Sequence, residues 1–254
     1  MKNFQPGKYL YRHRFNLAGI LFILLIWQLA AMAMDSLLIL PSPVDVLESG
    51  VKNTTNPAFG VHLATTILRG ITGFAIAFIL SLLTGIPAGL NEAFRQFIYP
   101  ILVTLRTLPV ISFILLALIW FTPPQVPVFI ALLTMFPVLT ISIIDGLRNT
   151  DKDYLEMGSI YRVPNHVLIR DIYLPGSMPV IYNGISNAMA FGWRAIIIGE
   201  VLSQPLLGIG AQMQRSQIYL LVAEVIFWSV IAVLISAIFE YTIRRIEKQS
   251  IKWK

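Results

Sequence analysis

Cysteine is absent from the 254-residue chain, and its absence excludes disulfides and thiolate metal sites. Charged residues are also scarce: they make up 13% of the sequence, against about 25% in a typical soluble domain. The histidines, His13, His62 and His166, lie far apart and show no metal-ligand spacing. Hydrophobic residues reach 56% and the mean hydropathy is +0.74. The composition therefore indicates a membrane protein rather than a soluble domain.

Several long apolar stretches could cross a bilayer, which requires about 20 residues at a rise of 1.5 Å per residue. Prolines within or near these stretches are compatible with membrane helices, where they act as kinks. The sequence predicts an all-α polytopic membrane protein with six transmembrane helices, in a transmembrane domain at 15–243 between an N-tail at 1–14 and a C-tail at 244–254. The predicted spans are Phe15–Met34, His62–Leu90, Phe97–Phe121, Pro127–Leu147, Ser177–Leu202 and Ile218–Ile243.

Basic residues fall mostly on one side of the predicted spans. If the N-terminus is inside, only Lys52 and Arg215 lie on the outer side. This bias predicts cytoplasmic N- and C-termini by the positive-inside rule. It also accounts for the net charge of +6 without a nucleic-acid partner. The basic residues on the inner side are Lys2, Lys8, Arg12, Arg14, Arg95, Arg148, Lys152, Arg162, Arg170, Arg244, Arg245, Lys248, Lys252 and Lys254.

The first span has an alternative interpretation as a cleaved signal peptide. Basic residues precede its apolar stretch, and Ala31-Met32-Ala33 resembles a cleavage site. The apolar stretch is about 20 residues long, however, and a signal peptide's apolar region is usually 7–15 residues. An uncleaved first helix is therefore favoured, and cleavage would leave the other spans oriented as before.

The longest predicted cytoplasmic loop is 148–175. Asp151 or Asp153 could cap a short helix that runs through Glu156 to Tyr161. Pro164 interrupts this pattern, and Asn165 could then cap a second helix over His166–Tyr173. Two short helices joined by a tight turn could project from the bilayer toward a partner. The alternative is a plain amphipathic connector with no partner.

This loop resembles the EAA motif of ABC importer permeases, written as E-A-A, three residues, G, nine residues, I-x-L-P. Glu156-Met157-Gly158 occupies the first three positions, and Ile172, Leu174 and Pro175 occupy the last ones. Tyr154-Leu155 and Met178-Pro179 fit the nitrate, sulfonate and taurine branch of this family. Shorter resemblances to that branch occur in order at Pro41-Ser42-Pro43, His62-Leu63 through Arg69, Gly73-Phe74, Leu105-Arg106-Thr107-Leu108-Pro109, Trp120-Phe121, Glu200 and Gly208-Ile209-Gly210.

The chain departs from the motif at Arg162, which stands where the family keeps glycine. That glycine serves a turn in which a side chain is unfavourable. The resemblance therefore implies that Arg162 either tolerates the glycine geometry or belongs to a reshaped turn near Pro164. A further departure is Thr122, which replaces the usual glycine after Trp120-Phe121.

The resemblance implies a type I ABC importer permease in the bacterial inner membrane, assembled from several chains. Two ATPase subunits that use ATP and magnesium would dock on the loop, a second permease copy would complete the pathway, and a solute-binding protein would deliver the solute. The sequence has no G-x-x-x-x-G-K-[ST] pattern for cradling phosphates, so we expect a non-catalytic subunit with no cofactor of its own. The implied ATPase-coupling residues are Tyr154, Glu156, Gly158, Arg162, Pro164, Leu174 and Pro175.

Charged residues inside the spans form a second candidate site, because each costs roughly 2.5–3.5 kcal/mol at a helix centre on insertion scales. Arg106 and Arg194 could attract an anionic solute, or they could form internal ion pairs, for example Arg194 with Glu200 of a partner chain. Arg69 and Asp145 lie nearer the span ends and could extend toward the surface. The tentative translocation pathway consists of Arg106, Pro109, Trp193, Arg194 and Glu200.

Two other features have more than one interpretation. Gly73, Ala77, Ser81 and Gly85 form a small-residue stripe that could pack within the chain or form a dimer seam. The solute could be an anion such as nitrate, taurine or another sulfonate, or a vitamin precursor. A secondary transporter is the alternative function, and it would require acidic residues for ion coupling. An intramembrane enzyme is less favoured because no metal or Ser/His/Asp pattern is evident.

Overall fold

The structure is a computed structural model that describes the backbone of residues 6–250 and the side chains in that range other than those at 6–14, 16, 17, 152, 159 and 165. Every regular element in this range is helical, which confirms the all-α prediction. Lys2, Lys252 and Lys254, which contribute to the predicted topology, lie outside the described residues. The helices are α1 Pro6–Met34, α2 Pro43–Thr54, α3 Phe59–Leu90, α4 Glu92–Thr107, α5 Val110–Trp120, α6 Val126–Arg148, α7 Lys152–Ile160, α8 Asn165–Leu168, α9 Leu174–Ser203, α10 Ile209–Ile218 and α11 Val222–Ser250.

The chain divides into two compact units. One comprises the chain up to Phe59 together with Met213–Val230, and the other comprises Gly60–Gln212 and continues from Ile231 onward. The second unit holds α3 to α9 and therefore contains every predicted coupling and pathway residue.

Within residues 6–250, four helical stretches are long and apolar enough to cross a membrane: α3, α6, the continuous stretch His166–Ser203, and α11. Helices α4 and α5 make a fifth span only as a pair bent by 94°. The apolar part of α1, Ala18–Met34, is shorter than these spans. The structure thus supports a multi-pass membrane protein, and the count of six spans stays a prediction.

The third predicted span, Phe97–Phe121, is wrong as a single helix. The structure replaces it with α4 and α5, which meet at Leu108 and Pro109. Leu108 is extended, with φ −67° and ψ 138°, because a residue before proline is sterically driven out of the helical region. The kink expected at Pro109 is therefore a full break.

Helix α6 forms the core of the second unit, and half of its apolar window is buried. The small-residue stripe of α3 lies against it: a Cβ added to Gly73 would lie 2.6 Å from Ala131 Cβ, and one added to Gly85 would lie 3.0 Å from Ile143 Cβ. Between them the Ser81 hydroxyl donates to the Phe136 carbonyl at 3.0 Å. The stripe therefore serves packing within the chain, as small residues allow close helix approach.

The first unit contains α2, a helix that the sequence analysis did not identify. Ser42 and Asp45 form a reciprocal capping box at its start, and Pro43 occupies a favourable first-turn position. The hydrogen bonds from Ser42 hold the pKa of Asp45 below its ordinary value. Gly50 faces Phe227, so closely that an added Cβ would lie 2.9 Å from the ring.

The predicted start of the sixth span at Ile218 is also wrong. Ile218 ends the separate helix α10, and α11 begins at Val222. Leu220 between them has φ +57°, a left-handed conformation that interrupts an α-helix.

Candidate functional site

The predicted coupling loop forms a compact helical turn between α6 and α9. Helix α7 starts after Asp151, whose carboxylate accepts a hydrogen bond from the Asp153 backbone N–H at 3.0 Å. This bond caps an otherwise unpaired donor of the first turn. Gly158 lies against α8, since a Cβ there would meet the end of the Leu168 side chain at 2.4 Å. The first predicted helix is thus present as Lys152–Ile160, and of the two candidate caps Asp151 is the one at its start.

Arg162 adopts the backbone geometry that the motif glycine would provide. Its φ is +50°, in the left-handed region. The Val163 N–H donates back to the Gly158 carbonyl at 2.9 Å, the six-to-one hydrogen bond of a Schellman motif. Arg162 occupies the position after the cap that is usually glycine. Of the two possibilities left open by the sequence, the structure therefore shows that Arg162 tolerates the glycine turn.

Replacing Arg162 by glycine is expected to stabilise the turn by about 0.5–1 kcal/mol, because a side chain in the left-handed region costs roughly 1–2 kcal/mol and glycine loses some of that gain to chain entropy. Amide hydrogen exchange in α7 should slow about two- to fivefold. Arg162→Ala removes the same charge but keeps the Cβ atom, so amide hydrogen exchange in α7 should not slow in this variant. Equal protection in both variants would mean that charge, not backbone strain, governs the turn.

The second predicted helix, His166–Tyr173, does not end where expected. Helix α8 continues through a π-helical segment at Ile169–Tyr173 into α9. The Leu174 N–H donates to the Ile169 carbonyl, five residues earlier. Pro175 then falls in the first turn of α9, where its missing N–H costs little. The result is one helical stretch from His166 to Ser203.

The turn carries an exposed apolar and aromatic surface, here called the docking face. It is formed by Tyr154, Met157, Ile160 and Tyr161, whose exposed fractions are 57%, 48%, 77% and 76%. Glu156 is also exposed on α7. Large apolar side chains clustered at the end of a projecting turn are typical of a protein interaction surface.

Arg106 and Arg194 lie in a common cavity of about 290 Å³. The cavity is formed at the break between α4 and α5, is lined on its other sides by α6 and α9, and is open to the surface, so that both arginines are exposed. Its apolar walls include Phe113, Leu133 and Phe191, and the Arg194 guanidinium lies 5.3 Å from the Phe191 ring centroid. Within residues 6–250, neither arginine has a carboxylate within 4.0 Å.

Glu200 lies outside this cavity, in a buried polar cluster. Its side chain is fully buried, and it pairs with Arg69 of the same chain, which is 9% exposed. The Thr66 hydroxyl donates to Glu200 at 3.0 Å, and the Gly210 N–H donates to it at 2.9 Å. The expected surface position of Arg69 is therefore wrong, because a buried carboxylate attracts its guanidinium inward. The pairing of Glu200 with a partner chain's Arg194 receives no support.

Trp193 is a packing residue rather than a cavity residue. It is 3% exposed, its indole N–H donates to the Ala232 carbonyl at 2.8 Å, and its ring meets Phe239 edge-on at 5.4 Å. Pro109 lies at the α4–α5 break and shapes the cavity from there. Of the predicted pathway residues, the structure thus brings together Arg106 and Arg194 in one cavity.

An ion pair that the sequence did not predict links the end of α6, where the predicted coupling loop begins, to α4. The Arg148 guanidinium, at the end of α6, donates to Glu92 at 2.7 Å, and Glu92 also pairs with Arg95. Opposite charges at Glu92 and Arg95 were visible as a neighbouring helical pair. Their connection to Arg148, 56 residues away in sequence, had no local signal.

The chain is similar in sequence to several transport permease proteins. The chain is 25% identical to the putative aliphatic sulfonates transport permease protein SsuC of Bacillus subtilis (strain 168), over 98% of this chain and 91% of the relative. It is 27% identical to the formylaminopyrimidine transport permease protein ThiX of Halalkalibacterium halodurans, over 72% and 73%. It is 23% identical to the taurine transport system permease protein TauC of Escherichia coli (strain K12), over 89% and 84%.

A solved structure shares the fold. A chain of the MetNI methionine ABC transporter, in an inward-facing conformation, superposes with a TM-score of 0.57 at 12% identity, covering 72% of this chain and 93% of that chain. The model of one family matches residues 77–248, which include the predicted coupling loop, the cavity residues and Glu200, whereas Thr66 and Arg69 precede the matched range. This match confirms the resemblance noted in the sequence: the chain belongs to the family of binding-protein-dependent transport system inner membrane components.

Proposed function

We infer that this chain is the non-catalytic permease subunit of an ABC importer, which moves a small solute inward and works with separate ATPase subunits. The observation that carries the inference is the coupling turn: within the family match at 77–248, two spans are joined by a short helix that exposes an apolar face. Such a face suits a groove on a partner protein, where buried aromatic side chains supply much of the binding energy.

The docking role is shared among residues of different kinds. Tyr154 and Glu156 are exposed. Gly158, Arg162 and Pro164 set the shape of the turn. Leu174 and Pro175 start α9 and carry a displacement of the turn into that helix. ATP and magnesium would be bound by the ATPase subunits, and this chain would hold neither.

The complete transporter would contain two ATPase subunits, two permease copies and an extracytoplasmic solute-binding protein. Both termini of the permease would face the cytoplasm, as the distribution of basic residues predicts. This orientation places the coupling turn on the side where ATP is available. ATP binding would bias the helical bundle between two arrangements, which is how a distant ligand shifts a transport pathway.

The solute that the cavity suits best is a small anion with an apolar part. Arg106 and Arg194 offer positive charge without a carboxylate partner in the described chain, and Phe113 and Phe191 offer apolar contact. Relatives are named for aliphatic sulfonates and taurine, which combine these properties. A vitamin precursor is the second candidate, because another relative is named for formylaminopyrimidine.

Co-purification tests the function. The chain, extracted in mild detergent from cells that express its own ATPase, is expected to retain that subunit, and solute uptake should stop when ATP is depleted. Loss of uptake on collapse of the ion gradient, with ATP maintained and no ATPase retained, would instead indicate a secondary transporter. Glu156→Lys should insert normally and retain less ATPase than the parent chain.

Substituting the cavity arginines tests the solute class. Arg106→Gln and Arg194→Gln are each expected to reduce taurine or nitrate uptake at least tenfold, because a hydrogen bond to a charged group contributes about 1.5–3 kcal/mol. The ATPase should remain bound, since the coupling turn is intact. Arg215→Gln, outside the cavity, serves as the control. Unchanged uptake of both anions by both cavity variants would contradict an anion site.

A further inference from the structure

The first turn of α10 is held by side chains from two other helices. The Gly208 N–H donates to His62 Nδ1 at 3.2 Å, and the Ile209 N–H donates to the Thr66 hydroxyl at 2.8 Å. The Gly210 N–H donates to Glu200 Oε2 at 2.9 Å. These three successive donors have no partner within their own helix. Thus α3 and α9 together supply the caps that α10 lacks.

Arg69 closes the same cluster from the side of α3. Its guanidinium pairs with Glu200 and also donates to the Leu207 carbonyl at 2.7 Å. The Gln212 amide lies 3.1 Å from His62 Nε2. Side chains of α3 therefore contact the segment Ser203–Gln212 at both of its halves. Here this segment is called the α9–α10 connector.

The backbone of the connector fits this position closely. Gly208 has φ +142°, and a Cβ there would lie 2.6 Å from the Glu200 carboxylate. A Cβ at Gly210 would lie 2.5 Å from the Ile197 carbonyl oxygen. Both glycines are needed for the close approach of backbone to carboxylate.

Separation of the connector from α3 would be costly. It would leave a buried carboxylate without its guanidinium and three backbone donors without acceptors. Each loss is unfavourable in a site that excludes water, and the ion pair most of all. In contrast, the connector's outer tip is not packed: Leu206 is 84% exposed. The connector is therefore exposed at Leu206, whereas Leu207 to Gly210 are hydrogen-bonded to side chains of α3 and α9.

We propose that His62, Thr66 and Arg69 are positioning residues that, together with Glu200, keep the α9–α10 connector fixed to α3 and α9 throughout the transport cycle. The proposal rests on the proposed importer function. In that function the connector lies on the extracytoplasmic side, between the fifth and sixth spans. It follows that the connector moves only together with α3 and α9 and does not act as a gate.

Cross-linking tests the proposal directly, and because the chain lacks cysteine, no other site on the permease itself reacts. His62→Cys/Gln212→Cys places two thiols where the native side chains meet. The permease with its co-purified ATPase, in nanodiscs, is treated with a short bis-methanethiosulfonate or with methyl methanethiosulfonate, which modifies the same thiols without bridging them. ATP hydrolysis should agree within twofold between the two samples. A tenfold or greater loss of ATP hydrolysis in the bridged sample alone would show that the connector must move relative to α3, and would overturn the proposal.

A spectroscopic test uses a matched pair of threonines. A spin label at Leu206→Cys reports the mobility of the connector. Thr66→Val removes the hydroxyl that bonds Ile209 and Glu200, whereas Thr65→Val removes one that bonds only the Val61 carbonyl of its own helix. Thr66→Val should give a more mobile label and slower ATP hydrolysis, and Thr65→Val should change neither. An unchanged label in Thr66→Val would overturn the positioning role.

The two inferences fail in different ways. If the parent chain retains no ATPase, the importer function fails whatever the connector does. If the parent complex hydrolyses ATP and the bridged variant does not, only the fixed connector fails. If the double cysteine variant is inactive before any treatment, the label mobility in Thr66→Val decides the proposal.

Discussion

Glu200→Ala is expected to lower the free energy of unfolding by about 3–5 kcal/mol, because removing one partner of a buried ion pair leaves the other charge uncompensated. The charge left behind is Arg69, which is only 9% exposed. The change also leaves the Gly210 N–H without its acceptor, and the Thr66 hydroxyl keeps only the longer bond to the His62 carbonyl at 3.3 Å. Unfolding by sodium dodecyl sulfate in mixed micelles, followed by tryptophan fluorescence, would measure the loss.

A surface ion pair gives the control for this substitution. Glu240 pairs with Arg244 at 2.6 Å on α11, with both side chains more than half exposed. Glu240→Ala should cost no more than about 0.5 kcal/mol, as exposed helical pairs contribute little. Arg69→Met combined with Glu200→Gln should recover part of the stability lost in Glu200→Ala. Equal costs for the Glu200 and Glu240 substitutions would contradict a buried, energetically coupled cluster.

The second large effect is expected at the docking face. Tyr161→Glu should weaken binding of the ATPase on the order of 100-fold, because it replaces a 76% exposed aromatic side chain with a carboxylate that must be desolvated in the interface. A central aromatic contact contributes at least about 2 kcal/mol to a protein interface. Titration of the purified ATPase against the permease in nanodiscs would measure the change.

Tyr219 offers a matched control. It is 69% exposed and lies between α10 and α11, on the side predicted to be extracytoplasmic. Tyr219→Glu introduces the same change in size and charge where no ATPase can reach. It should leave the affinity within twofold of the parent chain. A similar loss in both variants would mean that the effect is not specific to the coupling turn.

The parts of the fold that were predictable have local causes. Long apolar stretches located α3, α6 and α9 within a few residues at most ends, since a membrane span is defined by composition and length. Pro164, Asn165 and the motif spacing located the coupling turn. Arg162 was identified as standing in a glycine position, and its φ of +50° shows that the backbone requirement remains when the residue changes.

The missed parts depend on long-range contacts. Arg69 and Glu200 are separated by 131 residues, so no sequence window contains both. Each looked like an isolated intramembrane charge, for which a span end or a solute site is a reasonable assignment. Only the packing of α3 against α9 shows that they neutralise one another.

Two short helices were missed for a different reason. The start of α2 has a readable signal, with Ser42 at the N-cap, Pro43 in the first turn and Asp45 at the third position. With only 12 residues, however, α2 is too short to be recognised as a membrane span, which needs about 20 apolar residues. Helix α10 has no such signal, because its caps come from His62, Thr66 and Glu200 on other helices.

The unbroken helical stretch from His166 to Ser203 has a mechanical consequence. Its 38 residues correspond to about 57 Å at a rise of 1.5 Å per residue. Along this one helical stretch lie, in order, the second half of the coupling loop, Arg194 at the cavity, and Glu200, which holds the α9–α10 connector. A tilt of roughly 5° about its middle would displace each end by about 2.5 Å for a rod of that length. If the ATPase pushes on the coupling turn as proposed, the displacement can therefore reach the opposite face of the membrane through a single helix, without a relay of separate parts.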